Sequence, residues 1–272
     1  MPRIALLIEY DGTDFLGWQT QQQEPTLQST LERAAGFVAD TPIELVCSGR
    51  TDTGVHASAQ VAHFDTLAER EPRSWMLGIN SRLPPSVAVL GAFVVRADFH
   101  ARYGARLRSY RYRIQNRPMR CALHARYATW ERAPLDIGAM QLAAQSLVGE
   151  HDFTSFRTIA CQAKSPRRLI TAIRVVREGD FVLVDLEANA FLHHMCRNIV
   201  GSLLRVGRGE RDVQWLAQVL EARDRRAAAP TAPAQGLCFL GPRYPREFGL
   251  PDALSVPEGF VDRWTKSPGA GE

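Results

Sequence analysis

The chain has 272 residues, of which 45% are hydrophobic and 23% are charged, the composition of an ordinary globular protein. Its length allows one large domain or two modest ones. No apolar run reaches membrane-spanning length, and the first one, residues 4–8, is too short for a signal-peptide core. The five cysteines are scattered, without a Cys-x-x-Cys pair, which argues against a disulfide framework and a zinc ribbon. We therefore expect a cytoplasmic protein with no membrane partner.

The net charge of +4 conceals a strong asymmetry along the chain. Ten arginines and only two acidic residues lie between Arg96 and Arg132, and six basic residues and no acidic one lie between Arg157 and Arg177. The rest of the chain is therefore acidic. Basic charge concentrated in this way indicates a polyanionic partner, although a solvated basic face is the simpler alternative.

Apolar periodicity and turn residues predict the secondary structure in chain order. The first half is predicted to contain a strand, a helix and three further strands, at residues 4–10, 26–39, 43–47, 60–64 and 87–95. The second half is predicted to contain an alternating strand, a capped helix, a hairpin and two more helices, at 107–115, 136–149, 170–188, 192–207 and from 212.

Strands and helices alternate irregularly, and a hairpin is present, which favours an α+β fold over a doubly wound parallel sheet. The charge density changes near residues 98–108, where Gly104 interrupts the pattern. We therefore predict an N-terminal α/β domain at 1–103, a C-terminal α/β domain at 104–250, and a partly disordered tail at 251–272.

Residues 48–57 form a polar turn between two apolar runs, and Gly49 and Gly54 let its backbone bend sharply. The turn presents the guanidinium of Arg50 and the carboxylate of Asp52. Because aspartate is a common turn former, a purely structural role is the simplest interpretation of Asp52. The alternative is a nucleophile.

His193, His194, Cys196 and Arg197 are grouped in the predicted helix at 192–207. Adjacent helical residues point about 100° apart, so at most one histidine could join Cys196 on a metal, and no third ligand is suitably spaced. We therefore predict no metal site. Arg197 lies beside the apolar stripe, where it either extends to solvent or pairs with a carboxylate. A carboxylate paired in this way stays ionised, as a nucleophile must.

The turn at 49–57 resembles the active-site motif of the TruA family of tRNA pseudouridine synthases. Thr53 stands where that family often has alanine. Further segments resemble the family in the same order, at 10–13, 17–19, 99–103, 110–112, 152–157, 189–198 and 236–237. The resemblance covers roughly residues 3–250 and is specific, because these motifs all occur in register.

The resemblance implies an isomerase that converts uridine to pseudouridine at positions 38, 39 and 40, in the anticodon stem-loop of tRNA. It implies a homodimer that uses neither a metal nor an organic cofactor. The implied architecture is the pseudouridine synthase fold: two α/β domains with a mixed, mainly antiparallel sheet, flanking helices, and a basic cleft between the domains.

The resemblance also assigns roles to single residues. Asp52 matches the catalytic aspartate, and Arg197 the arginine paired with it. Arg50 matches the residue that enters the space left in the RNA by the flipped base. Tyr110 matches the tyrosine that stacks on the uracil and is also proposed to remove the C5 proton. Leu237 matches an apolar residue that closes the pocket over the base.

Two stretches match tRNA-binding segments of the family, and both lie in or beside the arginine-rich windows. Their residues are Phe99, His100, Ala101, Arg102, Tyr103, Ala160, Cys161, Gln162, Ala163 and Lys164. Contacts of this kind go mostly to phosphates, so binding is expected to weaken with salt.

Three other interpretations remain open at this point. The first is a tRNA-binding protein of the same fold that has lost catalysis. The second is a glycoside hydrolase, which normally needs a second carboxylate, here Asp11 or Asp14. The third is a small-molecule enzyme whose basic face is incidental.

Overall fold

The computed structural model describes residues 1–23, 25–159 and 161–257. The strands in this part are β1 Arg3–Tyr10, β2 Val46–Cys47, β3 His56–Asp65, β4 Val87–Val95, β5 Leu107–Asn116, β6 Thr129–Glu131, β7 Gly149–Asp152, β8 Arg167–Glu178, β9 Phe181–Ala188 and β10 Leu237–Arg243. The helices are α1 Leu27–Ala39, α2 Pro72–Asn80, α3 Ile137–Gln145, α4 Met195–Gly207 and α5 Trp215–Ala222.

All the strands belong to one mixed sheet, in the order β4-β1-β3-β10-β5-β9-β8-β7, with β2 beside β3 and β6 beside β5. Neighbouring strands are antiparallel except for the pairs β10–β3 and β5–β6. The helices flank this sheet. The prediction of an α+β fold with a mainly antiparallel sheet is therefore confirmed.

Strand β10 joins the two halves of the sheet. Cys238 and Phe239 pair in parallel with the start of β3, and Leu237 pairs with Tyr112 of β5 on the other side. A strand from near the C-terminal end of the chain thus lies between strands of the two predicted domains. The division at residues 103 and 104 stays a prediction.

Two hydrophobic cores lie on opposite faces of the sheet, because successive strand residues point to opposite sides. The larger core contains Leu6 and Phe64 of the N-terminal strands and most of α4, including Ile199 and Leu203. The smaller one covers the other face of β1 and β3 with residues from 95–105 and 244–254. The stretch at 99–105 is therefore anchored to the sheet.

The sequence predicted most of these elements within a few residues. Thr26 and Asp136 cap α1 and α3, since each side chain accepts a hydrogen bond from a backbone N–H in the first turn. In place of the expected strand at 43–47, only the two-residue β2 forms, because side chains of α1 form hydrogen bonds with the backbone of Leu45. Glu32 accepts its N–H at 2.9 Å, and Gln28 donates to its carbonyl at 3.4 Å.

Residues 251–257, the start of the predicted tail, pack against the smaller core. Leu254 is buried, and its carbonyl accepts a hydrogen bond from the backbone N–H of Tyr244 at 2.7 Å. The remainder of the tail, 258–272, lies outside the described residues. Within the residues that the structure describes, no helix combines the length and apolar character needed to cross a membrane.

Candidate active site

The turn that carries Asp52 connects β2 to β3 and is held by a buried glutamine. Gln60 accepts a hydrogen bond from the Ser48 hydroxyl at 2.6 Å and donates one to the Gly49 carbonyl at 2.7 Å. The Thr51 carbonyl accepts from the backbone N–H of Trp18 at 3.0 Å. The backbone on the N-terminal side of Asp52 is thus fixed before any substrate arrives.

The segment after β1 packs closely against this turn. The close packing explains why this segment contains Gly12 and Gly17. A Cβ at Gly12 would lie 2.0 Å from the Val55 carbonyl oxygen. Gly17 adopts a φ of +85°, and a Cβ there would lie 2.9 Å from the carbonyl oxygen of Thr51. Only glycine permits these close approaches.

Asp52 forms an ion pair with Arg197. Nη1 of Arg197 donates to Oδ2 of Asp52 at 3.1 Å, and Nε donates to the Ala232 carbonyl at 2.8 Å. The Asp52 side chain keeps 22% of its surface exposed, against 15% for Arg197. The carboxylate is therefore oriented by a shielded cation and still reachable from solvent.

His193 and His194 also face Asp52, which the sequence analysis did not anticipate. Nε2 of His193 lies 3.3 Å from Oδ1, and Nε2 of His194 lies 3.3 Å from Oδ2. Burial lowers the pKa of His194, since it disfavours the charged imidazolium. His194 is therefore neutral near pH 7.

The expected helix at 192–207 begins later than predicted, which corrects the argument about these histidines. His194 has a φ of +61° and precedes α4, which starts at Met195. The spacing of 100° between adjacent helical residues does not apply to His193 and His194. Both rings can therefore turn toward the same carboxylate.

Tyr110 lies on the buried face of β5 in an aromatic group. Its ring centroid is 5.0 Å from that of Phe191 and 4.8 Å from that of Phe239. Burial raises the pKa of Tyr110 well above its ordinary value, so the phenol is protonated at neutral pH. Leu237 is also buried, at the first position of β10.

Arg50 is exposed at the surface of the turn. Among the described residues, no carboxylate pairs with its guanidinium, and the ion pairs of Asp52 are with His193, His194 and Arg197. Arg50 therefore forms no ion pair with the neighbouring Asp52.

The first predicted tRNA-binding stretch divides into buried and exposed positions. Phe99 and Ala101 are fully buried in the smaller core. Arg102 is exposed, and its guanidinium carbon lies 5.6 Å from the ring centroid of Tyr103, which is itself 72% exposed. His100 is partly buried beside them. Phe99 and Ala101 thus shape the loop, while Arg102 and Tyr103 face outward.

The second stretch follows a residue that is tied to the candidate site. Thr158 Oγ1 lies 2.9 Å from Nδ1 of His193, within hydrogen-bonding distance. Gln162 and Lys164 are exposed, whereas Cys161 and Ala163 are partly buried against the larger core. Ala160 lies outside the described residues.

The basic windows carry less free charge than the sequence suggests. Several of their arginines pair with acidic side chains, in the pairs Arg96–Asp98, Arg111–Asp185, Arg117–Asp180 and Arg126–Asp14. Counting charges along the chain therefore overstates the positive charge available to a partner.

Arg108 is a residue that the sequence analysis missed. Its guanidinium donates to the Ser48 carbonyl at 3.1 and 3.2 Å, to that of Asn189 at 2.7 Å and to that of Arg102 at 2.6 Å. It thus joins the Asp52 turn, the segment before the histidines and the first predicted tRNA-binding stretch. The sequence feature that could have identified Arg108 is its position two residues before Tyr110, which puts both side chains on the inward face of β5.

We predict that Arg108→Ala lowers the free energy of unfolding by about 3 kcal/mol, because it leaves several partly buried carbonyls without a donor. Hydrogen exchange should increase selectively at residues 48–55, 99–105 and 189–197. Urea unfolding and exchange mass spectrometry measure the two effects.

Arg111→Ala is the matched control, on the same strand. Arg111 is paired with Asp185 on the opposite, more exposed face, so its loss should cost about 1 kcal/mol or less. Exchange in the three loops should not change in this control. Unaltered loop exchange in Arg108→Ala would contradict the joining role.

Comparison of the sequence with known proteins assigns this chain to a family. A sequence profile described as tRNA pseudouridine synthase matches residues 6–104 and 143–245. These ranges contain Asp52, His193, His194 and Arg197, whereas Tyr110 lies between them.

Curated relatives named "tRNA pseudouridine synthase A" match over nearly their whole length. The protein from Xanthomonas oryzae pv. oryzae (strain PXO99A) is 55% identical over 251 residues, covering 92% of this chain and 98% of the relative. That from Xanthomonas campestris pv. campestris (strain B100) is 56% identical with the same coverage. That from Stenotrophomonas maltophilia (strain R551-3) is 53% identical over 255 residues, 93% of this chain and 100% of the relative. The chain therefore belongs to the tRNA pseudouridine synthase family, a family of isomerases.

Proposed function

We propose that this protein isomerises uridine to pseudouridine in tRNA, and that its targets are positions 38, 39 and 40 of the anticodon stem-loop. The curated relatives carry the name of a tRNA pseudouridine synthase. The observation that carries the proposal is the Asp52 carboxylate, partly exposed and oriented by Arg197.

The reaction breaks the N1–C1′ glycosidic bond, turns the uracil, and forms a bond between C1′ and C5. The proton on C5 is lost and N1 gains one, so the product is an isomer of the substrate. A carboxylate suits this chemistry because it can attack or stabilise an electron-poor carbon and then leave again. Attack at C1′, addition to the base and a glycal route all employ the carboxylate of Asp52.

Before reaction the target base must leave its stack. Arg50 is exposed and has no carboxylate partner in the described part of the chain, so its planar cation is available to fill the vacated space. Once flipped, the uracil would lie against Tyr110, with Leu237 closing the pocket.

The properties of Tyr110 favour stacking over proton removal. Its ring packs with Phe191 and Phe239, and burial keeps its phenol protonated. A base at C5 would first have to lose that proton, which burial opposes. We therefore assign Tyr110 to the binding of uracil.

The alternatives have less support. A binding protein without catalysis would not need the Asp52–Arg197 pair. A glycoside hydrolase would need a second carboxylate at the site. Asp11 instead accepts a hydrogen bond from the Tyr127 hydroxyl at 2.9 Å, and Asp14 accepts one from the Arg126 guanidinium at 2.7 Å. Neither is among the described side chains that contact Asp52. We further propose that the enzyme works in the cytoplasm as a homodimer, without a metal or organic cofactor.

We predict that the purified protein releases tritium from C5-labelled uridine in an unmodified tRNA transcript with a chelator present. Transcripts that carry a uridine at only one of the positions 38, 39 and 40 should release tritium. A transcript without uridine at these three positions should release none. Absence of release from every transcript would reject the isomerase, and release that stops on adding chelator would reject metal-free catalysis.

Within the same assay, Asp52→Asn should lower the rate by on the order of 10⁴-fold or more, because an amide cannot replace the carboxylate as a nucleophile. Binding of tRNA should persist. The matched control is Asp180→Asn, which changes an exposed aspartate in the turn between β8 and β9. This variant should form pseudouridine at the normal rate. Normal turnover by Asp52→Asn would remove Asp52 from the chemistry.

We predict that Arg102→Ala lowers tRNA affinity several-fold and reduces the slope of log affinity against log salt by about 0.7–0.9, the value of one phosphate contact. Arg73→Ala, at an exposed position on α2, should leave both quantities unchanged. Filter binding at several salt concentrations measures them. An unchanged slope in Arg102→Ala would show that Arg102 does not contact phosphate.

A further inference from the structure

Asp52, His193 and His194 bring three potential metal ligands together. One ligand atom from each of these residues lies within 4.8 Å of the other two. The separations of 3.3 Å between each Nε2 and its nearer carboxylate oxygen exceed the usual length of an N–H···O hydrogen bond. The two imidazoles thus approach Asp52 without forming good hydrogen bonds to it.

Each of these nitrogen–oxygen separations equals the distance between two ligands of one zinc ion, with His193 nearest to Oδ1 of Asp52 and His194 nearest to Oδ2. Bonds of about 2.0–2.1 Å from Zn²⁺ to nitrogen and oxygen place tetrahedral ligands about 3.3–3.4 Å apart. Two histidines and one carboxylate are also a common zinc ligand set, with a fourth position left open.

The backbone and a neighbouring side chain orient both rings. The backbone of His194 is left-handed at the start of α4, and the centroid of its ring lies 4.1 Å from that of His193. Nδ1 of His193 lies 2.9 Å from Thr158 Oγ1, and a hydrogen bond at that nitrogen leaves Nε2 free to bind a metal.

We propose that Asp52, His193 and His194 form a site for Zn²⁺ or a similar transition-metal ion, and that the bound ion blocks the enzyme. The inhibitory part of this inference rests on the proposed function, because a carboxylate that binds a cation is no longer free for the reaction. The ion is an inhibitor here and has no part in turnover. Mg²⁺ is excluded, since it prefers oxygen ligands and octahedral geometry.

Arg197 limits the affinity of this site. Its guanidinium is anchored on the Ala232 carbonyl and donates to Oδ2, so it repels an incoming cation and competes for the same carboxylate. With only three protein ligands and this repulsion, we expect a Kd on the order of micromolar, far weaker than that of a structural zinc site.

The binding test uses the purified protein without RNA and Co²⁺ as a spectroscopic probe. Tetrahedral Co²⁺ should show visible absorption that saturates at one ion per chain and that Zn²⁺, but not Mg²⁺, removes. His193→Asn and His194→Asn should each weaken binding at least tenfold. Asparagine is chosen because it tolerates the left-handed conformation at position 194. His124→Asn, at an exposed histidine, is the control and should bind normally.

The activity test measures tritium release from labelled tRNA over a Zn²⁺ titration. The rate should fall with the occupied fraction found in the binding test and return on adding chelator. Absent Co²⁺ absorption, or unchanged affinity in both histidine variants, would overturn the site. Zinc that binds there without slowing turnover would overturn inhibition. A protein that binds Co²⁺ as expected but shows no turnover in chelator would overturn the proposed function and support the metal site.

Discussion

The ion pair between Asp52 and Arg197 is the contact on which the candidate site depends. It joins side chains that are 145 residues apart in the chain. Asp52 lies in the turn before β3, and Arg197 in the first turn of α4. Between them runs β10, which pairs with β3 on one side and with β5 on the other, and Arg197 also donates to the Ala232 carbonyl shortly before β10. The pair thus links a turn of the N-terminal half of the sheet to a helix that follows its C-terminal strands.

Arg108 connects the same parts of the molecule through backbone carbonyls. No acidic side chain in the described part of the chain contacts it, so its charge is not neutralised locally. It faces the Asp52 turn, the segment before His193 and the loop that bears Arg102. A cation in this position orders the loops and adds to the positive potential that an RNA phosphate would meet. The same residue can thus support both the geometry and the electrostatics of the site.

Much of the fold, and the pairing of Asp52 with Arg197 in the candidate site, could be predicted from the sequence. The alternating residues of β5, the caps Thr26 and Asp136, and the motif around Asp52 are local signals that the chain shows directly. Contacts made by distant residues could not be predicted in this way. The short β2 results from side chains of α1, and the ion pairs of the basic windows involve acidic residues elsewhere in the chain. The late start of α4 depends on a left-handed His194, while the apolar stripe continues back to Leu192.

The central claim is that Arg197 orients Asp52 for reaction, which a single-turnover experiment on Arg197→Lys tests most directly. Lysine keeps the positive charge, but one ammonium group cannot reproduce the planar fork that bonds both the Ala232 carbonyl and Asp52. With saturating tRNA, the rate constant for pseudouridine formation should fall by on the order of 10²-fold, because small misplacements of reacting groups are costly. The affinity for tRNA should stay within a few-fold. A variant that reacts at the normal rate would contradict this account.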